Sequence, residues 1–265
     1  MKSISLLFSL FALSFCSAQQ KDSIHILQDS LCKQCTPYFA VLKKNGPILR
    51  LNPVIIPAAF ISYGFTALKN KDLQKLNNST KVEIIEDNPK FFTGLDNYLQ
   101  YAPAAAVYGF NAVGVRGKNN SRDRTIIYTL STLISAAFVL PTKKLTKVQR
   151  PDGSGFNSFP SGHTTTAFAS AEFLRQEYNG VSPWYGIGGY ITATATGLLR
   201  LYNNKHWVND AIAGAGFGIL SMKLAYWIYP AIKRKFFKNK PVNTMILPYY
   251  ESKGGGLSAV YHFSN

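Results

Sequence analysis

The chain of 265 residues is basic and poor in charge at the same time, with 29 Lys and Arg against 13 Asp and Glu and only 16% charged residues. Its 14% aromatic content excludes a disordered basic protein, and its 3 cysteines exclude a disulfide scaffold. A net charge of +16 suits nucleic acid, a membrane surface or a phosphorylated substrate, and composition does not choose among them.

Residues 1–18 have the layout of a secretory signal peptide, with a lysine before an apolar run and a predicted cut after Ala18. An uncleaved membrane anchor is the alternative, although the apolar run is short for a full span. Either reading sends the chain into the export route. Cys32 and Cys35 then lie in an oxidising space, where a local disulfide or two idle thiols are favoured over redox chemistry.

Uncharged apolar stretches follow one another along the chain, and their lengths approach the roughly 20 residues that a helix needs to cross a bilayer. They predict an all-α fold, a helical bundle with several transmembrane helices. Buried helices of a soluble protein are the alternative, because prolines and charges interrupt some of the stretches. The stretches are residues 51–68, 97–115, 125–142, 178–199 and 211–222, the last resuming to residue 232.

Charge placement suggests an orientation for these helices. The loop 116–124 and the segment 233–240 are strongly basic, so the positive-inside rule predicts that both are cytoplasmic. If residues 51–68 also cross the membrane, the orientation inverts. The predicted regions are a signal peptide (1–18), an N-terminal exported region (19–96), a helical core (97–240) and a tail (241–265) with two short strands around Gly254–Gly256.

Three polar stretches, at residues 143–151, 159–163 and 200–210, stand beside the apolar helices and hold two of the four histidines. Their composition suits a phosphoryl group, which needs cations and N–H donors around its oxygens. Lysine and arginine supply positive charge, and the arginine guanidinium adds N–H donors arranged in a planar fork. A Pro-Ser-Gly turn at a helix start supplies backbone N–H groups. The candidate phosphate-binding residues are Lys143, Arg150, Ser161, Gly162 and Arg200.

The two histidines of these stretches suit different roles. His206 and Asp210 are four residues apart, so on a helix they would share a face. The carboxylate can then hold one imidazole nitrogen and leave the other free to attack. His163 opens a predicted helix close to the bound group. The pattern therefore predicts a nucleophile, its carboxylate partner and a separate acid.

The stretches resemble the signature of the type 2 phosphatidic acid phosphatase and vanadium haloperoxidase superfamily, K-x6-RP, PSGH and SR-x5-H-x3-D. All the spacings are kept, and the resemblance covers about residues 97–232. One position departs, because Leu199 stands where the family usually has serine. The serine hydroxyl that contacts phosphate in that family is therefore absent from this position.

This resemblance implies the fold of that superfamily and a role for each residue. His206 would form a phosphohistidine, and Asp210 would orient it and balance its charge. His163 would protonate the leaving alkoxide and then help to activate water. Lys143, Arg150, Ser161, Gly162 and Arg200 would hold the phosphoryl oxygens. No metal and no cofactor is implied, because cations and amides carry the charge.

The sequence predicts a metal-independent phosphatase that acts on a phosphomonoester or diphosphate, with a lipid phosphate as the favoured substrate. Its active site is expected on the periplasmic face of the inner membrane or in the periplasm. The alternatives are a soluble periplasmic acid phosphatase of broad range, a vanadium-dependent haloperoxidase and a non-catalytic envelope protein. The partners would be a phosphorylated lipid, or another phosphate ester, and the membrane. Nucleic acid is disfavoured, because the basic residues flank apolar helices rather than alternate with aromatic ones.

Overall fold

The structure, a computed structural model, describes residues 53–236 together with two strands near the C-terminus. The predicted signal peptide and the pair Cys32 and Cys35 lie outside the described residues. The described part of the chain is mostly helical, which confirms the all-α prediction. Its eight helices are α1 (Ile55–Ala67), α2 (Lys71–Asp87), α3 (Asp96–Leu99), α4 (Ala102–Ala112), α5 (Ser121–Thr146), α6 (Gly162–Tyr178), α7 (Pro183–Tyr202) and α8 (Val208–Phe236).

Helix α6 lies at the centre of the bundle. Ser161 caps its first turn, and most of its residues are buried, as expected for a helix covered on all sides. Phe173 and Tyr178 of α6 belong to a core cluster with Val107 of α4 and Met222 of α8. Each of these four side chains is fully enclosed, so the residues that open α6 are held by a rigid, close-packed helix.

Helix α8 packs tightly against its neighbours through a stripe of small residues. A methyl group on Gly218 would lie 2.3 Å from the carbonyl oxygen of Thr165 in α6. A methyl group on Gly216 would lie 2.7 Å from the carbonyl oxygen of Pro57, in α1. Glycine at these two positions therefore allows the backbones of α8, α6 and α1 to approach closely.

Replacing Gly218 with alanine should destabilise the bundle by about 1–3 kcal/mol, because the added carbon meets backbone atoms that cannot move aside. The check is the midpoint of thermal unfolding in detergent. Gly188→Ala in α7 is the matched control, because nothing lies within 4 Å of the added carbon there. An unchanged midpoint for Gly218→Ala would contradict the close packing of α6 and α8.

Among the residues that the structure describes, two helices, α5 and α8, are long and apolar enough to cross a membrane. In the most apolar 18-residue stretch of each helix, 17% of α5 is buried inside the bundle, against 56% of α8. A long apolar face left uncovered by protein is what contact with lipid requires. The other predicted apolar stretches form helices that do not combine this length with this apolarity. The two helices indicate a membrane protein.

The basic loop 116–124 and the described part of the second basic segment, residues 233–236, lie near the C-terminal end of α6. The backbone N–H of Lys118 donates to the carbonyl of Glu177 near the end of α6, at 2.9 Å. At the end of α8, Lys233 pairs with Asp123 in the first turn of α5, at 2.5 Å. His163 opens α6 at its other end, about 25 Å away at 1.5 Å per residue. The basic loop and the basic end of α8 are therefore remote from the motif residues.

A hairpin forms near the C-terminus, from β1 (Thr244–Glu251) and β2 (Gly254–Tyr261). The two strands are antiparallel, and the first residue of β1 pairs with the last residue of β2. The three glycines that the sequence analysis placed between two strands stand instead at the start of β2. They fit there because strand pairing uses only backbone N–H and C=O groups, which glycine also has.

Candidate active site

The three polar stretches of the sequence meet at the N-terminal end of α6. The backbone N–H of Ser161 donates to the carbonyl of Asp210 at 3.0 Å, which joins the second stretch to the third. The Lys143 ammonium donates to the carbonyl of Asn157 at 2.6 Å, which joins the first stretch to the loop before α6. The ends of α5 and α7 and the starts of α6 and α8 therefore form one site.

His206 and Asp210 form a buried pair at the centre of this site. His206 Nδ1 lies 3.4 Å from Asp210 Oδ2, and both side chains are almost completely enclosed. A carboxylate facing Nδ1 favours the tautomer with the proton on that nitrogen, and Nε2 keeps its lone pair. Burial lowers the pKa of His206, although Asp210 opposes that shift. The resting imidazole is therefore neutral and suited to nucleophilic attack.

The expectation that His206 and Asp210 share a helix face is wrong. Helix α8 begins at Val208, so His206 lies in the turn before it. The Asp210 carboxylate accepts from the backbone N–H of Trp207 at 3.0 Å, across the start of the helix. The Asp210 carboxylate therefore caps the first turn of α8 and also faces the His206 imidazole. The start of the helix and the orientation of the ring depend on the same group.

Ser158 is a member of the site that the sequence reasoning missed. Its buried hydroxyl donates to Asp210 Oδ2 and lies 3.4 Å from His206 Nδ1. Ser158 and the backbone N–H of Trp207 therefore donate to the same oxygen of the Asp210 carboxylate. Its position two residues before the Pro-Ser-Gly-His run is the only trace of this role in the sequence.

The guanidinium of Arg200 has one nitrogen that is paired and one that is buried without a partner in the described part of the chain. Its Nη1 donates to the carboxylate of Asp96 in α3, and both side chains are buried. Its Nε is buried and has no hydrogen-bond partner among the residues that the structure describes. A buried N–H without an acceptor is costly, and a phosphoryl oxygen would satisfy it.

Lys143 and Arg150 are brought together by Asn157. Lys143 Nζ donates to the Asn157 carbonyl at 2.6 Å, and Arg150 Nε donates to the Asn157 side-chain oxygen at 2.9 Å. Asn157 is a second residue that the sequence reasoning missed. The arrangement holds two cations of the first motif, one from the end of α5 and one from the loop that follows, against a single residue of the loop that leads to α6.

Ser161 and Gly162 occupy different environments at the start of α6. The Ser161 side chain is fully buried and accepts from the Thr164 hydroxyl at 2.9 Å. Its main role in this structure is therefore to cap the helix. Beside Gly162 the structure leaves open space, with nothing within 4 Å of an added carbon. The N-terminus of α6 therefore borders a volume that an anion can enter.

His163 lies in the first turn of α6, with its Nε2 2.8 Å from the side-chain oxygen of Asn97. An amide oxygen only accepts, so Nε2 carries the proton. Burial and, to a smaller extent, the positive charge of Arg200 lower the pKa of His163 to about 4. The structure brings His163 and the other seven predicted residues to one end of the bundle, and adds Asp96, Asn97, Asn157 and Ser158 to them.

These pKa values predict a decline of activity in alkali. If His163 protonates the leaving group, its charged fraction falls tenfold for each unit above its pKa of about 4. A phosphomonoester loses its second proton near pH 6. We therefore expect kcat/KM to fall as pH rises above about 6, measured with a phosphomonoester over pH 4–9. A kcat/KM that climbs from pH 6 to 9 would contradict the role of His163.

Comparisons with known proteins bear on this site. Residues 124–234 match the PAP2 superfamily, which confirms the resemblance predicted from the three motifs. The chain is 39% identical over 145 residues to the lipid A 1-phosphatase of Porphyromonas gingivalis, an alignment covering 54% of this chain and 33% of that protein. It is 34% identical over 76 residues to the bacitracin transport permease protein BcrC of Bacillus licheniformis, covering 29% of this chain and 36% of that protein.

The chain thus spans roughly a third of the length of these two curated relatives. Among solved structures, the crystal structure of Aquifex aeolicus LpxE is similar with a TM-score of 0.44 and 21% identity. That comparison covers 57% of this chain and 95% of the other. All eight residues assigned from the sequence lie inside the matched range 124–234, whereas Asp96 and Asn97 lie outside it.

Proposed function

We propose, from the match of residues 124–234 to the PAP2 superfamily, that the chain is a phosphatase that hydrolyses a phosphomonoester or diphosphate of a lipid through a phosphohistidine. The observation that carries the proposal is the buried pair of His206 and Asp210, which leaves Nε2 as the free imidazole nitrogen. Arg200, with an unpartnered Nε, contributes an N–H for an incoming oxygen.

The first step transfers the phosphoryl group to the enzyme. His206 Nε2 attacks phosphorus, a P–N bond forms, and the bond from phosphorus to the leaving oxygen breaks. His163 acts here as the imidazolium: Asn97 accepts from its Nε2–H, and its Nδ1 gives a proton to that oxygen, so the leaving group departs as a neutral alcohol or a protonated phosphate. Asp210 balances the positive charge that develops on the His206 ring. Lys143, Arg150 and Arg200 stabilise the negative charge on the phosphoryl oxygens.

The second step returns the enzyme to its resting state. His163, now neutral, takes a proton from a water molecule as the water oxygen attacks phosphorus. The P–N bond breaks, the electron pair returns to His206 Nε2, and inorganic phosphate leaves. Each of the two histidines is therefore restored to the protonation state in which it began.

Two features favour a lipid substrate at a membrane surface. A cleft of about 640 Å³ lies beside the site, lined by Phe65 and Leu68 of the α1 region and by Trp207 and Asn209, which flank the catalytic turn. The exposed apolar face of α5 favours contact with lipid. We further propose that the basic end of the bundle faces the cytoplasm, which places the site on the periplasmic side.

The test is phosphate release by the purified chain from lipid monophosphates, lipid diphosphates and a soluble aryl phosphate, each with and without a metal chelator. We expect a higher kcat/KM for a lipid phosphate and no effect of the chelator. Equal rates on all three, with activity extracted without detergent, would favour the soluble acid phosphatase instead. Vanadate-dependent bromination without phosphate release would favour the haloperoxidase, and strong chelator sensitivity would contradict the metal-free mechanism.

A further inference from the structure

The segment of residues 91–101, which contains α3, presents a row of large apolar side chains to the outside. Phe92 and Tyr98 are each 78% exposed, Leu95 is 55% exposed and Tyr101 is 53% exposed. Such a cluster is unfavourable in water and usually marks a contact surface. We call residues 91–101 the aromatic segment.

The opposite side of the aromatic segment contacts the catalytic residues. Asp96 is 1% exposed and accepts from Nη1 of Arg200. The next residue, Asn97, lies 2.8 Å from Nε2 of His163. Two consecutive side chains of this segment therefore contact the predicted phosphate-binding arginine and the predicted acid.

The segment is also fastened to the end of α7. The side chain of Asn203 accepts from the backbone N–H of Thr93 at 3.0 Å and donates to its carbonyl at 2.8 Å. The ring of Phe91 packs edge-on against Tyr202, with centroids 5.4 Å apart. A displacement of the aromatic segment would therefore move the groups that hold Arg200 and His163.

The chemistry of the outer face fits a lipid surface. Asp96 is the only charged residue between Lys90 and Arg116, and it is buried against Arg200. Tyrosine is enriched at the boundary between water and lipid, and phenylalanine and leucine insert their apolar side chains into the lipid beside it. The segment lies at the catalytic end of the bundle, where α5 ends and α8 begins. With these two helices across a bilayer, the segment lies at the level of the lipid headgroups.

We propose that the aromatic segment binds the lipid bilayer surface and, through Asp96 and Asn97, holds Arg200 and His163 in place for a phosphate presented at that surface. This inference rests on the proposed phosphatase activity and adds to it a lipid-binding element outside the matched range 124–234. Asp96 and Asn97 are positioning residues, since each acts through a residue of the motifs.

The test compares the Phe92→Ser/Tyr98→Ser variant with the wild type on two substrates, a long-chain lipid phosphate in phospholipid vesicles and a soluble aryl phosphate. We expect kcat/KM to fall by about tenfold or more on vesicles and by less than about twofold on the soluble substrate. The matched control is Trp184→Ser/Ile191→Ser, because these α7 side chains are 73% and 66% exposed. An equal loss in the control, an equal loss on both substrates, or no loss on vesicles would overturn the inference.

A second measurement tests the contact between Asn97 and His163. Asn97→Asp should raise the pKa of His163, because a carboxylate stabilises the imidazolium, and should therefore raise kcat/KM at every pH above about 6. Asn97→Ala should lower the pKa of His163 and kcat/KM over the same range. The other ionisable groups that act on His163 are Arg200, Asp96, His206 and Arg150, and all are unchanged in both variants. Coincident pH profiles would overturn the positioning role. A wild type that releases no phosphate from either substrate would instead refute the proposed function.

Discussion

Replacing His206 with alanine is expected to lower kcat for phosphate release by about 10⁴-fold or more, because the nitrogen that attacks phosphorus is removed. Substrate should still bind, since Lys143, Arg150 and Arg200 remain. The KM should therefore change far less than kcat. The measurement is steady-state phosphate release from a lipid phosphate by the variant and by the wild type under the same detergent conditions.

The control for this variant is His262→Ala, which removes a histidine outside the three motifs and should retain full activity. Matching thermal unfolding midpoints would show that His206→Ala is folded. Full phosphate release by His206→Ala would refute the mechanism, because the proposed intermediate cannot form without that imidazole.

Replacing Asp210 with asparagine should lower kcat by about 10³–10⁴-fold. The carboxylate is completely buried, accepts from Trp207 and Ser158 and faces Nδ1 of His206. An amide of the same shape removes the negative charge that balances the imidazole and can present its NH₂ group to Nδ1, which favours the wrong tautomer. The check is kcat on the same lipid phosphate.

Asp152→Asn is the matched control for this substitution. Asp152 lies in the loop before α6 and pairs at 2.6 Å with Lys205, the residue that precedes His206 in the sequence. Both side chains of this pair are partly exposed. Its replacement should change kcat by less than about threefold, since exposed ion pairs contribute little. Comparable losses of kcat in both variants would show that any acidic residue near the site supports activity. The specific role proposed for Asp210 would then be wrong.

Much of the site could be predicted from the sequence, because the motifs report local chemistry. Lys143, Arg150, Arg200 and the two histidines are rare polar residues beside apolar helices, and their types alone indicate a phosphoryl group. The helical fold was also predictable, since long apolar stretches without alternation leave few other structures. These features depend on residue type and spacing, which a sequence displays directly.

The contacts that hold the motif residues could not be predicted in the same way. Asp96 and Arg200 are 104 positions apart, and Asn97 and His163 are 66 apart, so no spacing rule connects them. The geometry of His206 was predicted incorrectly, because four-residue spacing indicates a shared helix face only if the helix includes both residues. Here α8 begins at Val208, so Asp210 lies in its first turn and the His206 imidazole lies outside the helix.

The central claim, a phosphohistidine at His206, can be measured directly. A lipid substrate with a radioactive phosphoryl group is mixed with the enzyme, quenched within milliseconds and digested with trypsin. We predict an acid-labile label in the peptide of residues 206–223, present in the wild type and absent from His206→Ala. A wild type that turns over substrate without any protein-bound label, or with a label on another residue, would contradict the mechanism.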